Sequence, residues 1–114
     1  MITLYGIKNC DSVKKARKWL EENKLNYCFH DFRSDGLSPD KVSAWINTIG
    51  WETLVNKRST TWKALDESVK QTMTAETAAA AILASPTLIK RPLLDAKSQL
   101  MVGFKEADYR ALLL

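Results

Sequence analysis

The sequence contains few of the residues that build disulfide frameworks, metal sites or membrane spans. Among its 114 residues are two cysteines, one histidine and no apolar run near the ~20 residues that a membrane helix needs. Two cysteines cannot form a disulfide scaffold, and together with the lone His30 they do not make a metal site. With no signal peptide either, the sequence predicts a cytoplasmic monomer without a metal and without membrane contact.

Length and charge narrow the classes of partner. The chain is long enough for one domain that buries a sizeable core. Seventeen Lys and Arg against thirteen Asp and Glu give a net charge of +4, which suits an anionic small molecule or weak contact with nucleic acid. The densest basic cluster, residues 14–18, falls on the outer face of a predicted helix and is interpreted as solvated surface.

Cys10 is the residue best placed for chemistry. Residues 1–5 alternate as a β-strand, which Gly6 ends by taking the backbone angles of a turn, and helical spacing of apolar residues begins after Asp11. Cys10 therefore lies at a helix N-terminus, where free N–H groups and the helix dipole favour the nucleophilic thiolate. The carboxylate of Asp11 opposes this effect, and Lys8 is expected to offset it.

A second thiol is missing from the position where redox motifs carry one. Val13 stands where a C-x-x-C motif has its second cysteine, so a covalent intermediate is resolved either by Cys28 or by an external thiol. We favour the external thiol, because Cys28 lies in a predicted strand, where cysteine commonly fills the core. A buried, inert Cys10 is the alternative, and its place at a strand-to-helix junction argues against it.

Capping residues and periodicity predict the remaining elements. Ser38 is a natural N-cap, Pro39 suits the first helical position and Gly50 suits the helix end. The elements predicted after the first helix are a strand over 25–32, a helix over 39–49, a short helix over 62–70 with Leu65 and Val69 turned inward, a helix over 75–84 capped by Thr74, strands at 87–89, 93–94 and 99–102, and a last helix from Glu106.

The order of these elements indicates a fold class. Without residues 36–73, the order is β-α-β-α-β-β-α, which is the thioredoxin-like arrangement, with the reactive cysteine after the first strand. We therefore predict one α/β domain over residues 1–114. Its core, about 1–35 and 74–114, has a four-stranded mixed sheet flanked by helices, and residues 36–73 form an all-helical insertion.

Three segments together resemble the arsenate reductase-like ArsC/Spx family. They are Gly6-Ile-Lys-Asn-Cys10, Asn56-Lys-Arg58, and Ile89-Lys-Arg91-Pro92-Leu-Leu94 followed by Gly103-Phe104. The resemblance covers nearly the whole chain and is greatest to the short YffB-type branch. In that family a cysteine after the first strand attacks an arsenate oxyanion held by arginines, and glutathione with glutaredoxin, or an internal thiol, completes the reduction.

The resemblance implies a role for each matched residue. Cys10 takes the nucleophile position, and Arg58 and Arg91 match the anion-holding arginines, whose fork of donors suits a tetrahedral oxyanion. The family's third arginine is absent, and Lys105 is the nearest basic substitute. The resemblance to thioredoxin-like proteins also implies a cis peptide bond before Pro92, which places backbone groups beside the thiol.

Three functions remain open on this sequence. The first is a glutathione-dependent thiol reductase in which Cys10 attacks an oxyanion or a disulfide, and Lys8, Ser12 and the helix N-terminus help to hold the anion. Glutathione is then a co-substrate rather than a bound cofactor, with glutaredoxin as a further partner. The second is an Spx-like regulatory module that binds RNA polymerase, and the third is a thioredoxin-like fold whose cysteine does not turn over.

Overall fold

The computed structural model describes all 114 residues, which form two compact units. The first unit consists of Met1–Gly36 together with Arg91–Leu114, and the second consists of Leu37–Lys90. None of its helices combines the length and apolar character needed to span a bilayer. In chain order the elements are β1 (Ile2–Gly6), α1 (Asp11–Glu22), β2 (Tyr27–Asp31), α2 (Pro39–Ile49), α3 (Trp51–Leu54), α4 (Thr60–Lys63), α5 (Glu67–Gln71), α6 (Ala75–Ala84), a 3-10 turn (Pro86–Leu88), β3 (Leu93–Ala96), β4 (Gln99–Val102) and α7 (Glu106–Leu113).

The first unit contains a four-stranded sheet in the order β2-β1-β3-β4. β1 runs parallel to β2, with Gly6 paired to Asp31, and antiparallel to β3. β3 and β4 form a hairpin that a two-residue turn at 97–98 closes. The sheet is therefore mixed and carries helices, which confirms the predicted α/β, thioredoxin-like fold class.

The core of the first unit lies between this sheet and helices α1 and α7. Helix α1 buries one face because its apolar residues recur at helical spacing, whereas its lysines stay in solvent. Trp19 of α1 meets Tyr109 of α7 edge to face, with ring centroids 5.8 Å apart. The buried residues of this core are Leu4, Ala16, Trp19, Leu20, Leu94, Ala96, Tyr109 and Leu113.

The second unit is helical, and its two longest helices begin where the sequence predicts. The Ser38 side chain accepts a backbone N–H of the first turn of α2, Pro39 takes the first helical position, and Gly50 follows the helix with a φ of 84°. Helix α6 begins with a reciprocal capping box between Thr74 and Thr77. Local capping chemistry thus fixes both helix starts.

The predicted helix over residues 62–70 was wrong in its extent. Residues 60–63 and 67–71 form two separate short helices, α4 and α5, because Ser59 and Asp66 each start a new one. Val69 is exposed rather than turned inward. The four-residue helix α3 was not predicted, since Gly50 ends α2 and starts α3 at the same residue.

The predicted strand at residues 87–89 was also wrong. Pro86 starts a 3-10 turn over 86–88, because its fixed φ suits the first helical position. Only Ile89 makes a strand-like bridge, to Val55, and it is flanked by a 2.8 Å hydrogen bond from the Asn56 N–H to the Leu88 carbonyl. The second unit extends to Lys90 and includes α6, which was predicted to belong to the core; the single-domain organisation stays a prediction.

Candidate functional site

The end of β1 lies very close to the start of α1. A Cβ added at Gly6 would be 2.6 Å from Cγ2 of Val13, closer than Cβ atoms in real proteins come to non-bonded heavy atoms. Gly6 is not among the residues with positive φ, so the turn conformation expected from the sequence was wrong. The glycine is needed here for the close approach of strand and helix, which fixes the position of the connecting loop, residues 7–10.

Cys10 is the N-cap residue of α1. Its backbone is extended, with φ −100° and ψ 126°, and its carbonyl accepts the Lys14 N–H at 3.0 Å as the first hydrogen bond of the helix. Its thiol makes no capping hydrogen bond, and the residue is partly exposed. The predicted place at a helix N-terminus is confirmed, in a residue that is neither buried nor fully exposed.

The carboxylate of Asp31, at the end of β2, accepts hydrogen bonds from the turn that follows the strand. Its Oδ1 accepts the Arg33 N–H at 2.8 Å and the Ser34 N–H at 3.4 Å, both from the turn that follows β2. Burial favours the neutral acid, but these N–H donors and the Lys8 charge outweigh it and lower the pKa of Asp31. The side chain is therefore a buried carboxylate at neutral pH.

Further predicted site residues lie at the same end of the sheet as the 7–10 loop. Tyr5 pairs with Leu93 in antiparallel register, so the chain enters β3 from Arg91 and Pro92 at the end where it leaves β1. The predicted cis bond between Arg91 and Pro92 is present, and the Pro92 carbonyl accepts the Gly103 N–H at 2.8 Å. Pro92 is buried, whereas Arg91 is half-buried and engaged in an interaction of its own.

The first unit also contains three more of the predicted anion-binding residues, which are two lysines and one serine. Lys8 is exposed on the 7–10 loop, Ser12 is exposed in the first turn of α1, and Lys105 is the exposed N-cap residue of α7. Lys105 follows β4, whose Val102 pairs with Leu93, so it too leaves the sheet at this end. All predicted site residues except Arg58 therefore lie on chain segments that enter or leave the sheet at this same end.

Arg58 belongs to the second unit. It is exposed on a turn that Asn56 organises: the Asn56 Oδ1 accepts the Arg58 N–H at 3.0 Å, and the Asn56 carbonyl accepts the Ser59 hydroxyl at 2.7 Å. The Ser59 Oγ in turn accepts the Trp62 N–H at 3.1 Å and caps α4. The turn is therefore well defined, and the role of Arg58 stays a prediction.

Two residues outside this end of the sheet can be placed. Cys28 is exposed, so the expectation that it fills the core was wrong; it lies on β2, an edge strand, and its neighbour in the sheet is Thr3. The ring of His30 bonds the Gly36 carbonyl at 2.8 Å, a structural contact. No three His, Cys, Asp or Glu residues come together as a set that could hold a metal ion.

Sequence reasoning missed Asp31. It is the one charged residue of the chain that is buried, with 5% of its surface exposed. The available signal was a charged residue between Phe29 and Phe32 within a predicted strand, since such a position is seldom charged without a partner.

Comparisons with known proteins agree with this architecture. The model of the ArsC family matches residues 5–112. An uncharacterized protein of Haemophilus influenzae is 48% identical over 97% of both chains. The global transcriptional regulator Spx of Bacillus subtilis is 30% identical over 99% of this chain and 87% of its own.

Solved structures give the same result. A YFFB protein is 41% identical, covers 100% of both chains and superposes with a TM-score of 0.95. An arsenate reductase (ArsC) related protein from Brucella melitensis is 44% identical, with a TM-score of 0.80 over 96% of this chain and 92% of its own. Sequence and structure together establish that this chain belongs to the ArsC family.

Proposed function

We propose that this protein is a glutathione-dependent thiol reductase whose nucleophile is Cys10. The observation that carries the proposal is the position of Cys10, a partly exposed N-cap residue at the end of the sheet to which Arg91 leads. A thiolate at a helix N-terminus faces free N–H groups and the positive end of the helix dipole, which favour an attacking anion and an anionic substrate.

The chemistry with a disulfide substrate balances in two exchange steps. The Cys10 thiolate attacks one sulfur, a new S–S bond forms to Cys10, the substrate S–S bond breaks, and the other half leaves as a thiolate. A glutathione thiolate then attacks the substrate sulfur of this mixed disulfide and releases the Cys10 thiolate.

With an arsenate oxyanion, the Cys10 thiolate forms an S–As bond and one oxygen leaves as water. A glutathione thiolate then attacks the Cys10 sulfur, the S–As bond breaks with its electron pair on arsenic, and arsenite leaves. A second glutathione thiolate attacks the glutathione sulfur of the resulting mixed disulfide, which releases the Cys10 thiolate and forms glutathione disulfide.

The external thiol is needed because the chain offers no neighbouring one. Val13 occupies the position of a resolving cysteine, and Cys28 lies within β2, well before the end of the sheet where the 7–10 loop begins. The free thiol of glutathione therefore takes the resolving role in this proposal, with glutaredoxin as a protein that regenerates it.

Anion binding is proposed for the basic residues of the first unit and, from the family resemblance, for Arg58. Arg91 presents a planar fork of donors suited to an oxyanion or to a glutathione carboxylate. Lys8, Ser12 and Lys105 supply further charge and a hydroxyl. Replacing Arg91 with Lys keeps the charge but removes the fork, so we expect KM to rise more than kcat falls, and Arg58→Lys tests the second arginine in the same way.

The test is a turnover assay with glutathione and either a small disulfide or arsenate. Wild type and Cys28→Ser should both turn over at least one substrate, and Cys10→Ser should lose turnover at least about a hundredfold. Serine is a preferred N-cap residue, so Cys10→Ser keeps α1 intact and its loss of activity reports chemistry rather than folding. Full activity in Cys10→Ser, or no turnover of either substrate by wild type, contradicts the proposal.

A regulatory role is the second candidate, and the similarity to global transcriptional regulators over 99% of the chain favours it. Under this reading the chain binds RNA polymerase and its thiol need not turn over. Binding of purified polymerase to the immobilised chain, equal in wild type and Cys10→Ser, together with absent turnover, would establish the regulator. Turnover without such binding would establish the reductase.

A further inference from the structure

We propose that Asn56 is a positioning residue for Arg58, and that its side chain sets the backbone conformation from which Arg58 meets an anion. This inference rests on the anion-binding role proposed above for Arg58, and it adds Asn56 to the residues of that site. All the contacts involved lie within the second unit.

The backbone of Asn56 is anchored by a short antiparallel pairing. Val55 and Ile89 form an isolated bridge, and both residues are buried. The Asn56 N–H, next along the chain, donates to the Leu88 carbonyl at 2.8 Å. The turn that carries Arg58 therefore starts from a fixed residue.

The side chain of Asn56 makes the one hydrogen bond that fixes the Arg58 backbone. Its Oδ1 accepts the Arg58 N–H at 3.0 Å, so the asparagine side chain mimics a backbone turn. Arg58 makes no other hydrogen bond. On its far side Ser59 is held separately, because its hydroxyl bonds the Asn56 carbonyl at 2.7 Å and caps α4. Without the Asn56 Oδ1, both ends of the turn stay fixed and Arg58 between them loses its restraint.

The two cations of this turn differ in what they contact. The Nζ of Lys57 lies 5.6 Å from the ring centroid of Trp51 and 5.7 Å from that of Trp62, within the range of cation–π attraction. Arg58 is exposed, and its guanidinium has no hydrogen-bond or ion-pair partner. A free guanidinium on a fixed backbone suits an anion site, because less freedom is lost when the anion binds.

The bond to Asn56 also decides which donor Arg58 offers. Its backbone N–H is occupied by Oδ1, so an anion is bound by the guanidinium fork rather than by the main chain. If the main chain of the turn were the anion site instead, removing the Asn56 side chain would free a donor and strengthen binding. The two cases predict changes of opposite sign.

The test is binding of inorganic arsenate in a Cys10→Ser background, where no adduct with the thiol forms. The Kd is fitted to the backbone amide shifts that arsenate induces in NMR titrations. We expect Asn56→Ala to raise this Kd about fivefold, since binding must then order a loosened arginine. An unchanged or lower Kd overturns the proposal.

Thr74→Ala is the matched control. It also removes a side-chain oxygen that accepts a backbone N–H in the second unit, at the start of α6. Because this oxygen makes no contact with the Arg58 turn, the arsenate Kd of Thr74→Ala should equal that of its parent. A rise as large as in Asn56→Ala would mean that general destabilisation weakens binding, and would overturn the proposal.

A double-mutant cycle separates positioning from any other route to the anion. In an Arg58→Ala background, Asn56→Ala should change the already weakened Kd by less than about twofold, because Asn56 acts through Arg58 alone. Its cost in urea unfolding should be the same with and without the Arg58 side chain, since the hydrogen bond is to the backbone. A further fivefold loss of binding in this background overturns the positioning role.

Two more variants separate the hydrogen bond from the loss of volume. A serine hydroxyl accepts the N–H two residues on, more weakly than asparagine, so Asn56→Ser should keep the Kd within about twofold of its parent. Asn56→Gln carries the same amide one carbon further out and should resemble Asn56→Ala, which it replaces if the alanine variant is unstable. Binding by Asn56→Ser as weak as by Asn56→Gln overturns the proposal.

These outcomes are distinct from those of the turnover assay. If arsenate does not bind measurably to the Cys10→Ser protein, the role of Asn56 is overturned, whereas reduction of a disulfide by Cys10 still stands or falls with that assay. If the parent protein turns over neither substrate but the binding pattern is as expected, the reductase is overturned and the positioning of Arg58 by Asn56 stands.

Discussion

Gly6→Ala should destabilise the protein through a single contact. The new Cβ would be 2.6 Å from Val13 Cγ2 and must move apart by a few tenths of an ångström at least. Neither partner yields easily, because Val13 is fully buried and β1 is paired on both sides. Such overpacking costs typically 1–3 kcal/mol, and the stiffer unfolded chain offsets part of it, which leaves a net loss of about 1–2 kcal/mol.

The loss is measured by urea and thermal unfolding. For a chain of this length a loss of about 1–2 kcal/mol lowers Tm by roughly 4–8 °C. Val13→Ala, which makes room for the new methyl group, provides the matched partner for a double-mutant cycle. If the contact causes the effect, the double variant is more stable than the sum of the two single losses by about 1 kcal/mol. A neutral Gly6→Ala, or strict additivity, would refute the reasoning.

Three further predictions concern stability. The lowered pKa of Asp31 means that its contribution is complete above the ordinary value of 3.8 and is lost as the pH falls through the folded-state value; urea midpoints between about pH 6 and pH 2 should therefore decline less steeply in Asp31→Asn. Thr74→Ala removes one half of the capping box with Thr77 and should cost about 1 kcal/mol in urea unfolding; a change within error would contradict the capping assignment. Lys97 and Ser98 have φ of 51° and 63° in the hairpin turn, so Ser98→Gly should stabilise by about 0.5–1 kcal/mol, and a lower Tm would contradict this.

Local signals predicted the helices that begin with a cap. Ser38, Pro39 and Gly50 delimit α2, and Thr74 starts α6, because each acts on backbone groups within one helical turn. The position of Cys10 before α1 was predictable for the same reason. The Pro92 cis bond came from family resemblance, since nothing local to the residue distinguishes it.

Features that depend on distant partners could not be predicted. Residues 87–89 were predicted to form a strand, but only Ile89 pairs in a strand-like way. Its partner, Val55, is distant in the sequence, so this pairing could not be predicted locally. The need for glycine at position 6 comes from a contact with the following helix, not from its own backbone angles. The burial of Asp31 at the paired ends of β1 and β2 likewise arises only in the folded chain.

The central claim is that Cys10 is an accessible, reactive thiol. The most direct test is intact mass after brief exposure of the native protein to oxidised glutathione at neutral pH, followed by peptide mapping. We predict one glutathione per chain, attached to Cys10. No adduct, or an adduct on the exposed Cys28 alone, would contradict the account and favour a binding module or a fold whose cysteine does not turn over.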